Sequence, residues 1–206
     1  RRVFIEESPN GDSILAHLIS ATKALRVGFY DDKEQPFIGS MISNQAALCM
    51  IKAQAALIEK GAVSLLSLKH SQANTGFITP GLIDVTTINN APDEEYFGPL
   101  LQVYRYKNFQ AAIDEANNTR FGLAAGLLAD NENDYLNFYQ QIRAGIINWN
   151  KPLTGASSAA PFGGIGASGN NRASAYYAAD YCSYPVSSLE KEKVELPKVL
   201  NPGLKV

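Results

Sequence analysis

Apolar residues recur along this chain in two alternating patterns, short extended runs and longer stretches with the three- and four-residue spacing of a helix face. Val3 to Ile5 reads as the end of a strand. Asn10-Gly11-Asp12 predicts a turn, with Asp12 capping an amphipathic helix that carries Ile14, Leu15, Leu18, Ile19 and Leu25. Asp31 to Gly39 is a loop, because the residue before Pro36 is steered away from helical geometry. Ser43 caps a second helix that runs to about Lys60 and stops at Gly61. Val63 to Leu68 predicts a strand apolar on both faces, the pattern of a sheet covered on each side. Phe77 to Pro80 and Val85 to Ile88 read as short extended pieces.

Leu100 to Tyr106 is another strand, and Phe109, Ala112, Ile113 and Ala116 mark the next helix. Gly122 to Ala129 predicts a strand, Asn131 to Ile142 a helix and Gly145 to Trp149 a strand. This alternation is the signature of an α/β fold on a parallel sheet. Right-handed crossovers place the strand ends, and any site, on one edge of such a sheet. The regular pattern ends at Asn150. Pro152 to Asn171 is rich in Gly, Ser, Ala and Pro and nearly uncharged, and a loop of that length is usually functional. A short helix around Arg172 to Ala179, a strand around Ser183 to Ser187 and a mixed-charge tail from Leu189 complete the prediction.

Composition narrows the class. The chain has 206 residues, 46% of them hydrophobic and 18% charged, enough for a real core in one large domain or a domain plus an appendage. Such a composition excludes disorder over most of its length. Eighteen basic against twenty acidic residues give a net charge of -2, so nothing overall draws the chain to nucleic acid or an anionic membrane. No apolar run approaches the roughly 18 residues of a membrane span. Arg1-Arg2-Val3-Phe4-Ile5 has no signal-peptide core, and the chain opens without Met at the edge of an apolar run, as though cut from a longer one. Cys49 and Cys182 are too few for a disulfide framework, which leads us to expect a reducing cytoplasm. Each reads as a small buried hydrophobe, with no His or basic cluster to activate it. Neither His17 nor His70 has a metal-ligand partner at usable spacing.

Three stretches bear on chemistry. Gly164-Ile165-Gly166-Ala167-Ser168-Gly169 spells G-x-G-x-x-G, but a dinucleotide turn needs a strand before it and a helix after it. Ser157 to Phe162 is not a strand, so these glycines are read as letting backbone pack closely. Glu94-Glu95-Tyr96-Phe97-Gly98-Pro99 places a carboxylate and an aromatic two residues apart, hence on one side of an extended chain. That pair suits a nucleoside, the carboxylate for vicinal hydroxyls and the ring for a flat base; a solvated Glu pair and a core Phe is the plainer reading. Asn150 to Ala156, leading to Ala160-Pro161-Phe162-Gly163-Gly164, offers main-chain N–H groups of Gly155 and Ala156 to an anion and Phe162 as a wall. A surface Ω-loop is the alternative there.

Together, E-E-Y-F-G-P, the G-L-A-A-G-L run after Asn117-Asn118-Thr119-Arg120-Phe121, and P-F-G-G-I-G-A-S-G resemble the aldehyde dehydrogenase superfamily over essentially the whole chain. Asn148 to Ala160 and Ser174 to Cys182 resemble its branch that oxidises N-succinylglutamate 5-semialdehyde in arginine catabolism. The resemblance implies an open, mostly parallel sheet flanked by helices, a partial catalytic domain over 1–178, and a C-terminal oligomerisation strand and tail over 179–206. It implies that the chain begins just after the catalytic cysteine, so that it would be inactive alone. In the family a thiolate attacks the aldehyde, hydride passes to NAD and water hydrolyses the thioester. By resemblance, Glu95 and Phe97 bind the cofactor NAD, Glu95 at the nicotinamide-ribose hydroxyls and Phe97 beside the nicotinamide. Gly155 and Ala156 would hold a substrate carboxylate, and Phe162 would line the aldehyde channel. Expected partners are a small-molecule aldehyde and further copies of the chain, with no nucleic acid and no membrane. At Asn170-Asn171-Arg172 the sequence departs from the many relatives that have a further glycine, which leaves the role of Arg172 open. A glutamate-semialdehyde dehydrogenase of the pyrroline-5-carboxylate type and a non-catalytic binding or oligomerisation module are the alternatives.

Overall fold

The computed structural model describes residues 1–89, 91–154, 157–170 and 174–204. Strand β1 (Arg2–Glu6) leads directly into helix α1 (Pro9–Lys23). The cap is Ser8 rather than Asp12: its hydroxyl accepts the Gly11 N–H at 3.1 Å, and Pro9 opens the helix where a missing N–H costs nothing. Asn10-Gly11-Asp12 is thus the helix's first turn, not a turn before it. A Cβ on Gly11 would overlap the Glu6 carbonyl, so this glycine serves close approach of α1 to β1. Asp12 lies near the positive helix end and pairs with Arg105 at 2.6 Å.

Helix α2 (Asn44–Glu59) is capped as its sequence predicts, Ser43 accepting the Ala46 N–H at 3.1 Å, and the chain turns away at Gly61 with φ +104°. Its inner face is Ala47, Met50, Gln54 and Leu57. The next three strands are β2 (Val63–Leu66), β3 (Gly81–Asp84) and β4 (Leu100–Tyr106). They form one sheet with β1 in the order β1-β4-β3-β2, in which β1, β4 and β3 run parallel and β2 antiparallel. Leu100 and Ile83 face α2 within one cluster, while Val103, Ile5 and Leu15 bury the other face against α1. Helices on both faces explain the apolar character of the inner strands.

Two expectations change here. Strand β3 lies between the predicted pieces 77–80 and 85–88, because Leu82 and Ile83 are buried at its centre while Pro80 and Asp84 disguise its ends as turns. Strand β2 is an edge strand shorter than predicted, and Val63 is 57% exposed instead of covered.

Helix α3 (Phe109–Asn117), strand β5 (Ala124–Leu127), helix α4 (Glu132–Gln141) and strand β6 (Ile146–Trp149) follow as predicted, with Asn108 and Asn131 as N-caps. Strands β5 and β6 pair in parallel as a second, two-stranded sheet that buries Ile113, Phe138 and Ile142 with Ala125, Leu127 and Ile147. The molecule is α/β with a mostly parallel sheet flanked by helices. Beyond Asn150, β7 (Pro161–Phe162) and β8 (Ser174–Ala175) make a short antiparallel pair, and α5 (Ala178–Tyr181) is one turn. The helix predicted over 172–179 is therefore displaced toward Tyr181, while 171–173 lie outside the described residues. Ser183 to Ser187 forms no strand and has no ladder partner among the described residues, with Tyr184 and Val186 82% and 77% exposed. Among the described residues no helix is long and apolar enough to cross a membrane.

Candidate functional site

Arg1 precedes β1 and Glu95 and Phe97 precede β4, so adjacent parallel strands bring them to one edge of the sheet. Alternation along 95–97 directs Tyr96 inward against the α2-side core and leaves Phe97 69% exposed. Burial, reinforced by the Glu94 charge, pushes the Tyr96 phenol above its ordinary value. The Arg1 guanidinium donates to Glu95 Oε1 at 2.9 Å, and its Cζ lies 5.3 Å from the centroid of Phe97. Glu95 and Phe97 thus share one contact and lie on one side. Among the described residues no donor reaches Glu95 Oε2. Arg2 turns the opposite way and donates to the Glu115 and Ala116 carbonyls at the end of α3, 3.2 and 2.8 Å away. Gly98 permits the close fit of this segment, since a Cβ there would come 2.6 Å from Met50 Cγ.

The segment is tied down by Asp93. Its carboxylate accepts the Thr119 hydroxyl at 2.5 Å and the Arg120 N–H at 2.7 Å. Burial raises the Asp93 carboxyl, but those two donors and the charges of Arg120 and Arg2 outweigh it and hold the group below its ordinary value. The same turn carries the glycine-rich loop. Arg120 O accepts the Ala167 N–H at 2.8 Å, Gly122 O accepts the Ile165 N–H at 3.0 Å, and Gly122 N–H donates to Ser168 Oγ at 3.1 Å. A single 3-10 turn (Gly166–Ser168), not an α-helix, follows Gly164, so the G-x-G-x-x-G spelling is no dinucleotide turn. A Cβ on Gly145 would overlap the Gly163 carbonyl, and one on Gly164 would come 2.5 Å from Ser168 O. Close backbone packing is what these glycines provide.

Phe162 is half-buried in β7, where its carbonyl accepts the Ser174 hydroxyl at 3.0 Å. The hydrogen bonds of Asp93, Arg120 and Gly122 just described link the loop after Phe162 to the segment before Glu95. Gly155 and Ala156 lie outside the described residues, as does Arg172. Cys49 and Cys182 are both exposed free thiols, which overturns the buried reading: Cys49 falls on the outer face of α2, beside the buried Met50. His17 bonds its own helix at Ser13 O, and among the described residues no group of acidic, His or Cys side chains could hold a metal. Arg1 and Asp93 were not legible as site residues. The only hint of Arg1 was an Arg pair entering an alternating strand, which must send one guanidinium to each side.

The chain matches the aldehyde dehydrogenase family over residues 1–186. Aldehyde dehydrogenase 21 from Physcomitrella patens, solved with the reaction product succinate, is 28% identical with a TM-score of 0.77, the match covering 87% of this chain and 37% of that one. An NADP-dependent enzyme of E. coli is 29% identical at TM-score 0.76, covering 85% and 36%. Succinate-semialdehyde dehydrogenase from Burkholderia pseudomallei is 27% identical at TM-score 0.76, covering 87% and 37%. The chain therefore spans little more than a third of the length of these proteins. The extent of the match makes it a member of the aldehyde dehydrogenase family.

Proposed function

We propose that this chain is the part of an NAD-dependent aldehyde dehydrogenase that walls the nicotinamide end of the cofactor and one side of the aldehyde channel. The observation that supports the reading is the shared contact of Glu95 and Phe97 with Arg1, which keeps a carboxylate and an exposed aromatic face together. These residues fit one end of a dinucleotide. Glu95 Oε2 would accept ribose hydroxyls, and the Phe97 ring would offer a flat apolar surface to a nicotinamide. When bound, the dinucleotide supplies the hydride acceptor. Phe162 lines the aldehyde path, and the main-chain N–H groups of Gly155 and Ala156 hold a substrate carboxylate. The nucleophile, its general base and the rest of the cofactor site belong to the remainder of a longer chain, in which 1–178 is catalytic domain and 179–206 an oligomerisation segment. The free state of Cys49 and Cys182 accords with a reducing cytoplasm.

The substrate we propose is N-succinylglutamate 5-semialdehyde, oxidised to N-succinylglutamate in arginine catabolism. The stretches Asn148 to Ala160 and Ser174 to Cys182 support it. So does the character of two similar structures, one holding succinate and one acting on succinate semialdehyde. The test is steady-state kinetics of the full-length enzyme. We expect kcat/KM for the succinylated aldehyde to exceed that for glutamate semialdehyde and succinate semialdehyde by about tenfold or more, with NAD preferred to NADP. Glu95→Gln should raise KM for NAD while leaving KM for the aldehyde nearly unchanged. Preference for another aldehyde overturns the substrate, and an unchanged KM for NAD overturns the cofactor wall.

A further inference from the structure

The guanidinium of Arg1 touches both Glu95 and Phe97. We infer that Arg1 is a positioning residue for the cofactor wall, holding the Glu95 carboxylate by one oxygen and the Phe97 ring by one face so that both present their remaining surfaces to the dinucleotide. The inference rests on the proposed cofactor role of Glu95 and Phe97.

The geometry is specific. A guanidinium is planar, so one edge can donate to a carboxylate while its face lies over an aromatic ring. Arg1 does both, with Nη1 2.9 Å from Glu95 Oε1 and Cζ 5.3 Å from the Phe97 centroid. Arg1 and Glu95 side chains are 42% and 36% exposed, so the pair is only half in water. Without Arg1, Glu95 has no other hydrogen-bond donor among the described residues to fix its carboxylate. A carboxylate free to rotate must be ordered when the ribose hydroxyls arrive, and that ordering weakens binding. Arg1 removes this cost in advance, and it does so through Oε1, leaving Oε2 for the ligand. Arg2, the neighbouring cation, cannot substitute, because it is committed to the carbonyls ending α3.

The test is a double-mutant cycle in the full-length enzyme, reading KM for NAD, kcat and KM for the aldehyde in the parent, Arg1→Ala, Glu95→Ala and the double variant. We expect R1A to raise KM for NAD about five- to twentyfold, the range of an exposed ion pair plus a cation–π contact, with KM for the aldehyde within about twofold. In the E95A background R1A should add little to the effect, and Arg1→Lys should recover part of it by keeping the charge on Oε1. Should R1A fail to fold, Arg1→Met, which keeps the apolar stem, carries the same cycle. An unchanged KM for NAD in R1A beside a raised one in E95A overturns the positioning role alone. Full additivity of the two substitutions also overturns it, since Arg1 would then act on the ligand independently. An unchanged KM for NAD in E95A overturns the cofactor wall and this inference with it.

Discussion

Asp93 shows how much of the candidate site depends on a residue that contacts no ligand in any reading. Its two short hydrogen bonds, to the Thr119 hydroxyl and the Arg120 N–H, join the Glu95 segment to the turn that carries the glycine-rich loop. Asp93→Asn keeps an acceptor for the Arg120 N–H and turns its NH2 toward the Thr119 hydroxyl, which can accept, so the substitution removes the negative charge that strengthens both bonds. At the partial exposure of Asp93 we expect a loss of about 1–2 kcal/mol, measured as a lowered midpoint of denaturant unfolding at pH 7. The sign of the pH dependence is fixed by the depressed carboxyl. Its contribution is complete above the unfolded-state aspartate value and is lost as pH falls through the lower folded value. The stability gap between parent and variant should therefore stay constant from pH 7 down to the ordinary carboxylate range and close below it; a gap that widens on acidification contradicts the assignment. None of this was visible in the sequence. Asp93 sits in a loop distant from Thr119, and nothing local marks their contact, whereas Glu95 and Phe97 could be singled out because their pairing depends only on a two-residue spacing.

Elements were legible where local rules govern them and not where tertiary contacts do. Helix α2 was readable end to end, because the Ser43 cap, the apolar spacing and Gly61 are all local signals. Helix α1 was placed late, because Gly11 mimics a turn and only the Glu6 carbonyl against it reveals why a glycine is there. Strand β3 was missed for the same kind of reason: its short buried centre is flanked by Pro80 and Asp84, and a long loop separates it from its parallel partner β4. Gln54 was another surprise, an amide on the buried face of α2. Its two ends satisfy the backbone of Leu68, Nε2 donating to the carbonyl at 3.0 Å and Oε1 accepting the N–H at 2.7 Å. The helix is thereby fastened to the segment leaving β2. Gln54→Leu would fill the space but strand both Leu68 groups in the core, where Leu68 is 2% exposed. We expect a cost of about 2–4 kcal/mol, seen as a fall in thermal midpoint of several degrees. A Leu variant as stable as the parent would show that water or a relaxed backbone replaces the amide.

At the scale of the molecule, the described chain leaves a sheet edge and an extended segment without partners. Strand β2 closes one side of the four-stranded sheet, so its outer backbone groups have no ladder among the described residues. Ser183 to Ser187 has the alternation of a strand, Tyr184 and Val186 outward, yet has no ladder partner among the described residues. A strand exists only by virtue of its neighbour, so the sequence pattern was real while the element it predicts is absent among the described residues. Pro185 removes one donor, which restricts such a segment to the edge of whatever sheet it joins. We propose that this segment pairs with a sheet of another subunit in the assembled enzyme. Its unpaired backbone and exposed Tyr184 and Val186 would both be satisfied there, at no expense to contacts within the chain. Deleting 183–206 from the full-length enzyme should then lower the molar mass measured by light scattering, while the thermal midpoint of the remaining subunit changes little. An unchanged mass after deletion would mean that the tail is dispensable for assembly. A collapse of the subunit itself would mean that these residues fold back onto their own chain instead.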